Sequence, residues 1–76
     1  MMLELYFSTK SRTEVCEIDL SDRTQLVNWE RVQNFLEKSD VTPNIQKDTL
    51  IAFYFDSNKE YLLAKNYCEE CGFIFS

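Results

Sequence analysis

The chain of 76 residues contains no histidine, one glycine and one proline. Without histidine, the usual general base near neutral pH is missing, and so are Ser-His and Cys-His nucleophile systems. The single glycine, Gly72, cannot build a glycine-rich phosphate loop, which excludes nucleotide binding by the familiar loops. We therefore expect a protein that is not an enzyme and that carries no cofactor.

Long hydrophobic runs are also missing. No apolar stretch approaches the ~20 residues that a membrane-spanning helix needs. The first ten residues place Glu4 inside a short apolar run, which is not the pattern of a signal peptide. Three cysteines, an odd number, do not form the disulfide framework of a secreted protein. The sequence predicts a cytoplasmic protein without a membrane partner.

Positive charge is scarce. Eight Lys and Arg stand against 13 Asp and Glu, which leaves a formal net charge of −5, and only Lys10 and Arg12 lie close together in the sequence. Affinity for a phosphate backbone requires clustered cations, so we expect no direct nucleic-acid binding. An acidic balance suits binding to a basic surface, and it also serves solubility alone.

The composition is that of a folded protein, with 45% apolar and 14% aromatic residues. At this length a single core is only marginally sufficient, so every apolar face must be used. We expect one compact α/β domain over residues 1–76.

Alternating apolar residues predict two strands at the start of the chain. In MLELYFS (2–8) the odd-numbered side chains are apolar, and in TEVCEIDL (13–20) Cys16, Ile18 and Leu20 share one face. The polar segment between the two strands predicts an antiparallel hairpin. Tyr6 and Glu4, together with Glu14 or Val15, Glu17 and Asp19, are expected on the exposed face of the sheet.

Two amphipathic helices follow. Ser21 or Asp22 can cap the first, whose apolar residues recur every three or four positions; they are Leu26, Trp29, Val32 and Leu36. We interpret Trp29 as a core residue, with a binding anchor as the alternative. The second helix starts at a capping box, Ser57 to Glu60, and ends before Gly72.

The remaining segments complete the predicted fold. KSDVTPNIQKD (38–48) has no periodicity and contains the proline, so it is predicted to be a loop. TLIAFYF (49–55) suits a central strand and FIFS (73–76) a short last strand. The prediction is a two-layer α/β (α+β) sandwich, with a mixed four-stranded sheet, both helices on one face and parallel strand-helix-strand steps.

CEEC (68–71) is the one motif that suggests chemistry. A redox C-x-x-C normally lies at the N-terminal end of a helix, where the dipole stabilises a thiolate, but Cys68 and Cys71 fall at the C-terminal end beside Glu69 and Glu70. A zinc site needs two more soft ligands, and only Cys16 remains. We therefore interpret the cysteines as small apolar residues and predict no metal site.

These features predict a small acidic non-catalytic binding protein that inhibits or regulates a partner with a basic surface. The concrete expectation is a phage or mobile-element inhibitor of a nucleic-acid-binding enzyme such as a CRISPR nuclease complex. The residues predicted to contact the partner are Glu4, Glu14, Glu17 and Asp19.

Two alternatives stay open. The first is a self-assembling structural or accessory subunit, a homodimer for instance, because FIFS is apolar and has no Lys or Pro to protect it as an edge strand. The second is a thiol or metal switch through Cys68 and Cys71.

Overall fold

The structure, a computed structural model, describes residues 1–76 and contains four strands and two helices. The elements are β1 (Met2–Ser8), β2 (Thr13–Asp19), α1 (Arg23–Lys38), β3 (Asn44–Lys47), β4 (Leu50–Tyr54) and α2 (Asn58–Glu70). The strand order in the sheet is β2-β1-β4-β3. β1 is antiparallel to β2 and parallel to β4, and β3 is antiparallel to β4. The predicted fold class, a small α/β protein with a mixed four-stranded sheet, is confirmed.

The fourth strand was predicted in the wrong place. β3 lies within the segment 38–48 that was predicted to be a loop, and residues 73–76 form no strand. β2, α1 and the strand predicted at 49–55, which is β4, were expected to form a parallel crossover. This expectation was wrong, because β4 runs parallel to β1 and hence opposite to β2. After α1 the strand that runs in the direction of β2 is β3, at the far edge of the sheet.

Both helices cover the same face of the sheet. α1 contributes Trp29, Val32 and Leu36 to the hydrophobic core, and α2 contributes Tyr61, Ala64 and Cys68. They pack on the apolar face of the strands, which is formed by Leu3, Leu5, Phe7, Cys16, Ile18 and Phe53. The interpretation of Trp29 as a core residue is confirmed, since only 5% of its surface is exposed.

Phe7 is the centre of an aromatic cluster within this core. Its ring centroid lies 5.7 Å from Phe53, 5.0 Å from Phe55 and 4.7 Å from Phe75, distances at which aromatic pairs attract one another beyond simple burial. The cluster joins β1 to the end of β4 and to the C-terminal segment.

The C-terminal segment covers the outer edge of β2. Phe73 and Phe75 are buried, whereas Ile74 between them is 80% exposed. Val15 and Ser76 exchange both backbone hydrogen bonds, each 3.0 Å long. Residues 73–76 are therefore held by core packing and one backbone pair, and they do not present a free apolar strand.

Side chains of the predicted type cap the start of each helix. Asp22 accepts hydrogen bonds from the backbone N–H groups of Thr24 and Gln25 at the start of α1. Ser57 accepts one from the N–H of Glu60 at 3.1 Å, which is the serine half of the predicted capping box. Each cap satisfies N–H groups that the first turn of a helix leaves without a partner.

Both helices end in the same Schellman turn. After α2, Gly72 has φ +93°, its N–H donates to the carbonyl of Glu69, and the N–H of Phe73 donates to that of Cys68. After α1, Asp40 takes the position of the glycine with φ +60°. The N–H of Asp40 donates to the carbonyl of Glu37, and the N–H of Val41 donates to that of Leu36. A left-handed conformation strains any residue with a Cβ, so the end of α1 is less favourable than that of α2.

We expect the two left-handed positions to respond to substitution in opposite directions. Asp40→Gly removes the strain and should raise the free energy of unfolding by about 0.5–1 kcal/mol. Gly72→Ala should lower it by about 1 kcal/mol, and because a Cβ at this position meets nothing within 4 Å that loss comes from the backbone alone. Urea unfolding of both variants measures the effects. A destabilised Asp40→Gly variant would contradict this account.

Candidate partner-binding surface

The face of the sheet opposite the helices is not covered by any element of the chain. Because β-strand side chains alternate, the residues between the core positions point to this outer face. The outer-face residues of the three longer strands include Glu4, Tyr6, Val15, Glu17, Asp19, Leu50, Ala52 and Tyr54. Glu17 and Tyr54 are exposed, and Glu4 and Asp19 are partly exposed. Three of the four carboxylates that were predicted to bind a partner therefore share this face.

Glu4 and Glu17 lie directly opposite each other on β1 and β2. The backbone N–H of Glu4 donates to the carbonyl of Thr49 at 2.8 Å, so Glu4 directs its backbone groups away from β2. The two glutamates thus form a non-hydrogen-bonded pair, the kind in which opposed side chains are closest. Like charges in this arrangement destabilise a sheet, and no salt bridge offsets them, because the ion pairs of the structure all involve Glu14.

Asp19 lies at the end of β2, opposite Met2, and has a structural role as well. Its carboxylate accepts hydrogen bonds from the hydroxyl of Ser21 at 2.6 Å and from the backbone N–H of the same residue at 3.0 Å. These bonds lower the pKa of Asp19 from its ordinary value. Asp19 therefore has a structural role in the turn into α1 in addition to its charge on the outer face.

Glu14 does not lie with the other three carboxylates, and its predicted place beside them was wrong. Its side chain is on the helix side of the sheet, where the hydroxyl of Tyr61 donates a hydrogen bond to Oε1. Lys65 Nζ lies 3.1 Å from both carboxylate oxygens. The alternation of side chains along β2 indicates this orientation, since Glu14 is two residues before Cys16, which faces the core.

Arg12 completes this group, which we call the Glu14 cluster (Arg12, Glu14, Tyr61 and Lys65). The guanidinium lies 4.8 Å from the centroid of the Tyr61 ring and donates to Asn58 Oδ1 at 2.8 Å. Tyr61 is fully buried, so its hydroxyl depends on Glu14 for a hydrogen-bond partner. The cluster fixes the start of α2 to β2 and neutralises Glu14 within the fold.

Charge is unevenly distributed over the outer face. Lys47 lies towards the β3 edge, where it lines a shallow depression with Tyr6, Ala52 and Tyr54. It lies in the same cross-strand row as Glu4 but is separated from it by Leu50 of β4. The acidic part of the face is therefore confined to the β1–β2 side.

The cysteines are part of the core or at its border. Burial raises the pKa of the Cys16 thiol from 9.0 to about 11, and it raises that of Cys68 still further. Cys71 is partly exposed at the end of α2. A thiol with a raised pKa is a poor nucleophile and a poor metal ligand, which favours the interpretation of Cys16 and Cys68 as apolar residues. No group of three or more His, Cys, Asp or Glu side chains is arranged to hold a metal ion.

Comparisons with family models, curated proteins and solved structures found no match to this chain. None of its helices combines the length and the apolar character that crossing a membrane requires.

We expect the Glu14 cluster to stabilise the fold. Glu14→Ala leaves the buried Tyr61 hydroxyl without an acceptor and should lower the free energy of unfolding by about 1–3 kcal/mol. Glu14→Gln keeps an acceptor oxygen and should be milder. In the double variant Glu14→Ala/Tyr61→Phe the loss should be smaller than the sum of the single losses, because no buried hydroxyl is then left unpaired. Additive losses in urea unfolding would show that the two side chains are not coupled.

The three cysteines should differ in their reactivity. Iodoacetamide should alkylate Cys71 in the folded protein, whereas Cys16 and Cys68 should react only when the chain unfolds, since both are buried. Peptide mass spectrometry after labelling with and without urea measures the order. Rapid alkylation of Cys68 in the folded protein would favour the alternative of a thiol switch.

Proposed function

We propose that the protein is a non-catalytic binding protein that inhibits or regulates a partner with a basic surface, which it contacts through the β1–β2 side of the outer face. The observation that carries the proposal is the opposed pair Glu4 and Glu17 on an uncovered sheet. A cationic partner relieves their mutual repulsion and also attracts them. The formal net charge of −5 acts in the same direction at longer range.

The proposed class of target is a nucleic-acid-binding enzyme, such as a CRISPR nuclease complex, and the proposed source is a phage or another mobile element. Such enzymes hold nucleic acid in cationic grooves. Carboxylates fixed on a rigid sheet offer that groove an alternative to phosphates. Such a target belongs to the cytoplasm, where we propose that this protein acts.

The surface proposed for contact differs from the predicted set of residues. Glu14 is excluded, because its carboxylate is already bound by Tyr61 and Lys65. Asp19 contributes charge, but its hydrogen bonds to Ser21 make it unsuitable for a clean substitution. The contact therefore depends chiefly on Glu4 and Glu17.

Self-assembly through residues 73–76 loses the basis on which it was predicted. That alternative required a free apolar edge strand at the end of the chain. Phe73 and Phe75 are instead buried in the core, and the backbone of Ser76 is paired with Val15. No observation favours a second function over the binding of a basic partner.

Glu17→Lys tests the proposal. It should convert a repulsive pair with Glu4 into an attractive one and raise stability by about 0.2–1 kcal/mol. It should nevertheless lower the association rate with the partner about tenfold at low salt, because steering depends on local charge. Wild-type and variant protein are immobilised, and proteins retained from a host lysate by the wild type but not by Glu17→Lys are identified. The association rate of the purified partner is then measured as a function of salt.

Glu30→Lys is the matched control. Glu30 is exposed on α1, on the opposite side of the sheet, and its reversal changes the net charge by the same amount. The Glu30→Lys variant should retain the partner. Excess nucleic acid should displace the wild-type protein from a partner of the proposed class. Equal capture by wild type and Glu17→Lys, with both folded by circular dichroism, would eliminate the outer face as the contact. Retention of the partner in excess nucleic acid would eliminate the proposed class of target only.

A further inference from the structure

A groove separates the second half of α1 from β3 and β4, on the helix side of the sheet. It is a half-open groove with a volume of ≈ 520 Å³, which is in the range of small-molecule sites. Six of its eleven lining residues are hydrophobic, namely Trp29, Leu36, Val41, Ile45, Ile51 and Phe53, and the others include the polar Gln33 and Thr42. Ile45 is 67% exposed, so part of this apolar surface is open to solvent.

Two carboxylates, those of Glu37 and Asp40, line the groove where α1 ends. No Lys or Arg side chain lines it, and neither carboxylate takes part in an ion pair. Lys38 belongs to the last turn of α1 but does not line the groove. The groove thus combines a mainly hydrophobic lining with two exposed carboxylates that have no ion-pair partner.

Both carboxylates lie at positions that disfavour them. The C-terminal end of a helix carries partial negative charge from its free carbonyl groups, which repels a carboxylate in or next to the last turn. Asp40 in addition has φ +60°, in a turn that usually takes glycine or asparagine. A cation bound in the groove would offset the helix dipole and both side-chain charges together.

We propose that this groove is a binding site for a small amphipathic amine, that is, an aromatic or branched aliphatic body that ends in an ammonium group. The apolar body lies on the floor around Ile51, with Trp29 and Phe53 beneath it. The ammonium group lies at the margin, between Glu37 and Asp40. This site is on the opposite side of the sheet from the outer face and does not depend on the proposed function.

Three compounds of similar size and different charge test the site. They are 2-phenylethylamine, the neutral 2-phenylethanol and the anionic phenylacetate. For the amine we expect a dissociation constant in the millimolar range, as is ordinary for a ligand of about nine non-hydrogen atoms. The alcohol should bind about tenfold more weakly and phenylacetate more weakly still. Fluorescence of Trp29, the single tryptophan, measures binding, and amide chemical shifts in NMR spectra locate it.

The double variant Glu37→Gln/Asp40→Asn removes both charges and keeps side chains that suit their positions, since asparagine tolerates the left-handed conformation. It should bind the amine no better than the alcohol. Glu69→Gln/Glu70→Gln, with the same change in charge at the end of α2, is the matched control and should bind the amine as the wild type does. The proposal is overturned if the alcohol binds as tightly as the amine, if the groove variant retains the preference for the amine, or if the amine at tens of millimolar shifts neither the fluorescence nor the amides of the groove.

Discussion

The whole structure depends on burial of one face of the sheet around Phe7. This side chain is fully buried on the central strand β1, and its aromatic neighbours come from β4, the segment after β4 and the C-terminus. The two helices cover one side of the four strands. The other side of the sheet is left open by these elements, and it is the side on which Glu4 and Glu17 lie.

The sequence predicts the elements whose apolar pattern matches their burial. β1, β2 and both helices each place apolar residues on one side, β4 is a nearly continuous apolar run in the middle of the sheet, and the structure contains all five. β3 could not be predicted in this way, because all four of its residues are exposed and it has no apolar face. β3 forms because β4 offers it an edge to pair with and because the turn at residues 48–49 reverses the chain between the two strands. Pro43, read as the mark of a loop, lies just before the strand, where a proline is tolerated at a sheet edge.

FIFS shows the opposite error, in which local preference for a strand is overridden by tertiary packing. Its aromatic residues favour a strand, but the left-handed turn at Gly72 directs them across the core towards Phe7. Of the four carboxylates assigned to one surface, the alternation of β1 and β2 correctly grouped Glu4, Glu17 and Asp19. The same alternation put Glu14 on the core side, a position that a charged residue occupies only with partners. Those partners, Tyr61 and Lys65, are more than 45 residues away in sequence, so sequence alone could not identify them.

The unfavourable interactions in this protein are distributed in a way that bears on function. The interior has no buried polar side chain without a hydrogen bond. The misfits lie at the surface, in the opposed pair Glu4 and Glu17 and in the two carboxylates at the end of α1. Because the free energy of unfolding of a small domain is only a few kcal/mol, each of these arrangements lowers it by an appreciable fraction. Local conflicts of this kind are expected where a surface serves binding, and in both places the charge that would relieve them is positive. The two surfaces lie on opposite sides of the sheet, so the two proposed sites do not overlap.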